Sequence, residues 1–165
     1  MWGRMRVRRP LNARSLAAQA RRHMLGDDEK WYRVSLRFLG DDLDLAAVTS
    51  ALGLKADVTG RIGEHIGDNP RYATYETNVW VHCYTENDSL TFNDQLSEFI
   101  TRLEGRGRAV RELAARPGVT AEVFLGFSSG NGQGGFTLSA SLLTRITSLG
   151  LNVTLDLYPP TVHEA

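Results

Sequence analysis

The sequence predicts an α+β fold, a two-layer sandwich of ferredoxin-like character with a mostly antiparallel sheet and its helices on one face. Segments in which apolar and polar residues alternate, as in half-buried strands, are separated by segments with apolar residues at helical spacing. Two helical segments also end in the same three residues, Leu-Gly-Leu, at 52–54 and 149–151. Because glycine tolerates the left-handed turn that ends a helix, this repeat indicates a strand-helix-strand unit used twice and not an active site.

Four segments have the alternation of a strand. In the first, Val34, Leu36 and Phe38 lie on one side, and Arg33 and Arg37 lie on the other. β-branched and aromatic residues are frequent in the others, as expected for strands. The predicted strands are 31–40, 77–85, 120–129 and 151–158, with a further short strand inside the polar, glycine-rich segment 55–72.

Helices are predicted between these strands. One helix within 41–53 ends at the first Leu-Gly-Leu, and a longer one begins near Thr91, which has the spacing of a capping box. The two glycines of 104–108 interrupt this longer helix, because glycine is costly in a helix interior, so that one broken helix or two are expected. A last helix is capped by Ser139 or Ser141 and ends at the second Leu-Gly-Leu.

The chain has the length and apolar content of one domain, with 165 residues of which 42% are hydrophobic. We assign 29–160 to a single α+β domain and 161–165 to a tail. No run approaches the ~20 apolar residues that a transmembrane helix needs, and the one cysteine, Cys83, cannot form an internal disulfide. The sequence therefore predicts a soluble, cytoplasmic protein with no membrane partner.

The basic residues are unevenly distributed along the chain. Seven arginines precede the first acidic residue, Asp27, and the remainder holds 12 basic and 19 acidic residues, a formal charge of −7. We interpret 1–28 as a basic, disordered extension, or as the result of a translation start placed before Met24. A transit peptide is an alternative, and polar interruptions disfavour a secretory signal. The acidic body disfavours nucleic-acid binding except through the basic arm.

Three segments carry a resemblance to a known family. They are RVSLRFLGDDLDLAAVTSALGLKADVTGRIGEH at 33–65, the tryptophan of TNVWVHCY, and FTLSASLLTRITSLGLNVTLDLY at 136–158. With these segments the chain resembles, over about 32–158, the bacterial family catalogued as domain of unknown function four-two-seven-nine. The resemblance implies a small intracellular α+β domain of a kind considered beside toxin and immunity proteins. It carries over no catalytic residues.

One glycine-rich loop has the pattern of a dinucleotide-binding fingerprint. Gly130, Gly132 and Gly135 form G-x-G-x-x-G after a predicted strand, and Asp156 lies at the end of the next strand. In the fingerprint the last glycine opens the helix, whereas here 136–138 still precede it. A flexible or hairpin-like loop is therefore favoured, and a small-ligand or nucleotide-binding enzyme using this loop is the alternative function.

No residues are predicted to be catalytic, and no metal site or cofactor is predicted, so a non-enzymatic role is favoured over an enzymatic one. The segment RIGEHIGD at 61–68 holds polar groups, but metal sites need three or four converging ligands, and a solvated loop is the favoured interpretation. Cys83 is expected in a strand with His82 on the opposite face, and no G-x-S-x-G elbow occurs.

Strand alternation predicts one candidate binding face. If the helices cover the side of Val34 and Leu36, the other side of the sheet carries aromatic and charged residues of the types enriched at interface hot spots. The alternative is that the long helix, the tail or a second subunit covers this side permanently, and the sequence leaves both open. The predicted partner-binding residues are Arg33, Arg37, Trp80, His82, Tyr84, Phe124 and Asp156, on a side that would also hold Glu122 and Thr154.

The sequence therefore favours a non-enzymatic interaction domain that binds a protein partner through this face or associates with itself. The aromatic pattern of an RNA-binding sheet is absent, which further disfavours nucleic acid. An immunity-type role follows from the family resemblance alone.

Overall fold

The computed structural model describes residues 30–68, 70–85, 89–129 and 134–158. The predicted basic extension and the C-terminal tail lie outside these residues. In chain order the elements are β1 (Lys30–Gly40), α1 (Leu45–Leu52), β2 (Val58–Gly60), β3 (Asn78–Cys83), α2 (Phe92–Glu104), α3 (Gly107–Ala114), β4 (Thr120–Ser129), α4 (Ala140–Ser148) and β5 (Asn152–Tyr158), with a short 3-10 turn at Ile66–Asp68.

The described residues form an α+β fold with one mixed sheet of five strands in the order β2-β3-β1-β4-β5. β1 lies at the centre and pairs antiparallel with both β3 and β4, and β2 pairs antiparallel with β3. β4 and β5 are parallel, because α4 carries the chain back along the sheet between them. The α+β class is confirmed. The mostly antiparallel, ferredoxin-like description is not confirmed, since the sheet is mixed.

The main core lies between one face of the sheet and the helices. Val34, Leu36 and Phe38 of β1 are buried there, as their alternation predicts. Every one of the four helices described above places buried apolar residues in the same cluster. The helix residues in it are Leu45, Val48 and Leu52 of α1, Phe92, Leu96, Phe99, Ile100 and Leu103 of α2, Val110 and Leu113 of α3, and Leu142 and Ile146 of α4.

A smaller apolar cluster lies on the opposite face, at the end of the sheet where β2 and β3 lie. Leu39, Val79 and Val81 are covered there by Tyr75, from the segment that connects β2 to β3. Tyr75 packs so closely on Gly60 that a Cβ on this glycine would lie 2.3 Å from the ring. The face away from the helices is therefore apolar and covered over β2 and β3, and it differs in character over β4 and β5.

The two Leu-Gly-Leu segments end helices, as the sequence predicts. Gly53 follows α1 with φ at +60°, and its N–H donates to the carbonyl of Thr49 at 2.9 Å. Gly150 follows α4 with φ at +74°. In the second copy the following residue, Leu151, is buried in the main core. The repeat is thus a helix stop followed by a return to the core.

Side-chain caps define where α2 and α4 begin. The hydroxyl of Thr91 accepts from the backbone N–H of Asp94 at 3.3 Å, which confirms the cap predicted for α2. Ser139, and not Ser141, caps α4 by accepting from the N–H of Leu142 at 3.2 Å. The glycine-rich segment separates α2 from α3, so the long helix is two helices.

Arg145 joins α4 to α2 across the helical layer. Its guanidinium donates to both carboxylate oxygens of Glu104, at 2.8 and 2.7 Å, and also to the hydroxyls of Ser97 and Thr101. A bidentate arginine–carboxylate contact, with two hydrogen bonds, is stronger and more directional than a contact with one hydrogen bond. This contact lowers the pKa of the Glu104 carboxyl and fixes the position of α4 relative to α2.

Within the described residues, no helix has both the length and the apolar character needed to cross a membrane.

We predict that Gly53→Ala destabilises the protein by about 1–2 kcal/mol, because a side chain disfavours the left-handed conformation. No atom lies within 4 Å of the added Cβ, so the effect would be conformational and not steric. Gly53→Asn should recover part of the loss. Denaturant unfolding measures both. Gly105→Ala is the control, since Gly105 has helical angles; an equal loss in that variant would contradict the explanation.

We predict that Arg145→Ala destabilises the protein by about 1 kcal/mol, because five hydrogen bonds from α4 to α2 are lost while the partly exposed site remains accessible to water. Arg108→Ala is the matched control. Arg108 donates to Glu112 at 2.7 Å in an exposed pair within one helix, and its loss should leave the melting temperature unchanged. Equal effects of the two substitutions would contradict the role of Arg145 as an interhelical contact.

The effect of Arg145→Ala should also depend on pH. Because Arg145 lowers the pKa of Glu104 from its ordinary value of 4.5, the contact stabilises the fold fully above that value and is lost as the pH falls through the lowered pKa. The stability difference between Arg145→Ala and the unsubstituted protein should thus be largest at neutral pH and shrink in acid. A difference that stays constant down to strongly acidic pH would argue against it.

Candidate binding face of the sheet

The face of β1, β4 and β5 that points away from the helices carries polar side chains in adjacent rows. Residues directly opposite each other on paired strands share a face. Arg37 lies opposite Glu122, and Ser35 lies opposite Phe124, which in turn lies opposite Thr154. We name this surface the polar face; its residues are Arg33, Ser35, Arg37, Glu122, Phe124, Thr154 and Asp156.

The polar face forms because the register of β1, β4 and β5 places the residues that each strand turns away from the helices next to each other. Each apolar residue of β1, β4 and β5 turned to the helices is followed by one turned away, and in these strands that residue is usually polar. The buried residues of the four described helices all belong to the main core, so none of these helices covers the polar face.

Charged groups at the centre of the polar face are buried and held in position. Arg37 is 5% exposed and Glu122 is 7% exposed. The guanidinium carbon of Arg37 lies 3.2 Å from the centre of the Phe124 ring, in a cation–π contact. Glu122 accepts a hydrogen bond of 2.6 Å from the hydroxyl of Thr154. These contacts make the centre of the face a preorganised polar layer, not a solvent-exposed one.

The end of the polar face near Arg33 is more open. Arg33 and Asp156 are both half-buried and lie on either side of Gly126, which has no side chain to separate them. Arg33 donates to the sulfur of Cys83 at 3.5 Å and so leans towards β3. Asp156 Oδ2 and the hydroxyl of Ser35 are buried, and neither has a hydrogen-bond partner among the described residues. This end therefore presents a half-buried cation and a half-buried carboxylate, whereas Ser35 between them and the centre of the face is fully buried.

Trp80, His82 and Tyr84 do not share this face, and their predicted placement beside the arginines is corrected. Trp80 lies opposite Phe38, and His82 lies opposite Leu36, so the register turns all three towards the helices. Trp80 is fully buried, and its indole N–H donates to the hydroxyl of Thr49 at 2.9 Å. The residues of β3 alternate between the two sides of the sheet as predicted, but the side that carries Trp80, His82 and Tyr84 is the side of Leu36 and Phe38 and not the side of the arginines. A Trp80→Ala variant would consequently report on folding.

His82 contacts the segment between α1 and β2. Its Nδ1 lies 2.9 Å from the carbonyl oxygen of Lys55 and 3.3 Å from the carboxylate of Asp57, which also accepts from the backbone N–H of Cys83. The His82 ring also stacks on that of Phe99, with centres 6.2 Å apart. These contacts attach the C-terminal end of β3 to the chain that precedes β2, which is a structural role.

Tyr84 completes a polar contact on α2. Its hydroxyl donates to Glu98 at 2.7 Å, and Arg102 forms an ion pair with the same carboxylate. The hydrogen bond to Glu98 raises the pKa of Tyr84, and the hydrogen bond from Tyr84 lowers the pKa of Glu98. Tyr84 thus connects β3 to α2 instead of facing a partner.

The glycine-rich loop is only partly described. Gly130 and Gly132 lie outside the described residues. Gly135 is exposed, and α4 begins five residues later at Ala140. Whether this loop binds a ligand stays a prediction. Next to it, Phe136 belongs to an aromatic cluster with Tyr32, Phe92 and Phe127, in which the closest ring centres are 4.6 Å apart. Sequence reasoning did not find this cluster, because its members come from four distant segments.

The polar loop at 61–68 makes local contacts. Glu64 accepts from the backbone N–H of Arg61 at 2.8 Å, and His65 Nδ1 lies 2.9 Å from the carbonyl oxygen of Tyr72. No group of three or more potential metal ligands occurs among the described residues. A solvated loop remains the interpretation that these contacts favour.

The comparisons with known proteins give a family. No curated protein and no solved structure matches the chain. Residues 29–160 match the family described as Domain of unknown function (DUF4279). The match spans all the helices and strands described above and most of the chain. The protein therefore belongs to the DUF4279 family.

Proposed function

We propose that the protein is a non-enzymatic binding domain that contacts a protein partner at the half-buried end of the polar face. The observation that carries the proposal is the position of Arg33 and Asp156, opposite charges on either side of Gly126 on a face that none of the described helices covers. Arginine is frequent at interface hot spots, because it makes several directed hydrogen bonds from one side chain.

Two features of the polar face support this choice. Arg33 and Asp156 are half-buried, so each presents part of a charged side chain at the surface of the sheet. Arg37, stacked on Phe124, is held in place beneath the surface, so that ordering it would add little to the entropic cost of binding. Arg33 and Asp156 are the residues that would contact the partner.

A bacterial, cytoplasmic setting is part of the same proposal. It is supported by the presence of one cysteine in the whole sequence, since disulfide-rich chains are typical of oxidising compartments. An immunity-type role, in which the partner is a toxin, is a narrower form of it.

We also propose that β1 to β4 with their helices form a ferredoxin-like unit, to which α4 and β5 are added. Support comes from the strand order. β1 and β2 run in the same direction with β3 between them, and β4 lies on the other side of β1, which is the split βαβ arrangement. An experimental structure with the same four-strand order is the expected outcome.

For binding, we predict that Arg33→Glu weakens partner affinity about 30-fold, or about 2 kcal/mol, because it places two carboxylates beside each other at the contact. The partner would first be captured with the tagged full-length chain from native lysate of the source organism and then measured by titration. Asp156→Ala should also weaken binding, by a smaller factor.

Arg108→Glu is the matched control, because Arg108 is an exposed arginine on the helical side of the molecule. It should leave affinity unchanged. Thermal melts of all variants exclude loss of folding. A partner that binds Arg33→Glu and Arg108→Glu equally well would show that the polar face is not the binding surface. Failure to capture any stoichiometric partner would contradict the proposed function.

A further inference from the structure

As far as the structure describes the chain, the outer edge of β5 has no paired strand, no protective proline or basic residue and exposed apolar side chains, a combination that sheet edges usually avoid. Among the described strands, β5 has a neighbour on one side only, which is β4. Its sequence, NVTLDLY, contains neither proline nor a basic residue. Exposed sheet edges are commonly protected by such residues, because unpaired backbone N–H and C=O groups pair readily with another strand.

The edge also exposes apolar side chains. Leu155 is 51% exposed and Leu157 is 64% exposed. Both lie on the helical side of the sheet, opposite Leu125 and Phe127 of β4, but unlike Leu125 they are not buried there. Exposed apolar side chains therefore lie on an edge strand that pairs, within the described part of the chain, with β4 alone.

We propose that a second copy of this chain pairs with β5, antiparallel and edge to edge, so that the two sheets become one. A strand can pair antiparallel with a second copy of itself when the residues at equal distances on either side of a central residue are compatible. With Leu155 on the two-fold axis, the two copies of Leu155 face each other. Leu157 of each copy then faces Val153 of the other. The exposed leucines then form a continuous apolar row across the interface.

Charge supports the same register and the same occupant. Asp156 is the one charged residue of β5. With Leu155 on the axis, Asp156 faces Thr154 of the second copy, on the side of the polar face. A register centred on Asp156 would instead place two carboxylates opposite each other, which is unfavourable. A neutral, symmetric apolar row favours a second copy over a charged peptide as the occupant.

The test is the oligomeric state of the full chain. Sedimentation equilibrium from about 1 µM to about 1 mM, which covers weak to moderate association, should show a monomer–dimer equilibrium. Leu155→Lys should raise the dissociation constant by roughly 100-fold, because it removes the central apolar pair and opposes two ammonium groups. Ile62→Lys is the matched control, since Ile62 is equally exposed, at 51%, and lies away from β5; it should leave the dimer unchanged.

A cross-link tests the register directly. In a Cys83→Ser background, Leu155→Cys should form a disulfide-linked dimer on mild oxidation, because the closest facing Cβ atoms in an antiparallel pair are about 4.5 Å apart, at the upper end of the separations that a disulfide spans. Ile62→Cys should not. A chain that remains monomeric to about 1 mM, a dimer that Leu155→Lys and Ile62→Lys affect equally, or equal cross-linking of both cysteine variants would each overturn the proposal. Arg33→Glu, which tests the polar face, lies in β1 and leaves β5 intact, so the two proposals fail separately.

Discussion

The pairing of β1 with both of its neighbours is the constraint on which the rest of the structure depends. β1 is the central strand, and its register with β3 and β4 determines which side chains lie in the same row. Phe38 is flanked by Trp80 and Ala121 on the helical side, and Arg37 by Val81 and Glu122 on the other. A slip of one residue would exchange the two faces, burying the arginines under the helices, so the apolar core and the polar face specify the same register.

The polar face shows how buried charges are accommodated in this fold. Removing a charge from water is costly unless other groups contact it closely. Arg37 is stacked on Phe124, and Glu122 accepts from Thr154, a residue of β5. The parallel strand β5, added beyond β4, therefore does more than extend the sheet. It supplies the hydroxyl for Glu122 and places Asp156 next to the open end of the face, so that β5 completes the candidate site.

β5 thus presents two chemically different surfaces. Its side chains on one side of the sheet, Thr154 and Asp156, belong to the polar face, whereas Leu155 and Leu157 on the other side are exposed apolar residues. Because strand alternation separates these sides, the apolar row that a second copy would contact and the guanidinium of Arg33 that a partner would contact lie on opposite faces of the sheet. A dimer formed through β5 would bring two polar faces onto one continuous sheet and would present two binding surfaces together.

The sequence by itself determined the α+β class, the position of most strands and helices, and the meaning of Leu-Gly-Leu, because periodicity, caps and left-handed glycines depend on a few neighbouring residues. It also grouped Arg33, Arg37, Phe124 and Asp156 correctly on one face. Only the tertiary structure decided that Trp80, His82 and Tyr84 lie on the other, that β4 and β5 are parallel, and that Arg37 is buried. Alternation defines two sides of each strand, but only pairing between distant segments determines how the sides of different strands match.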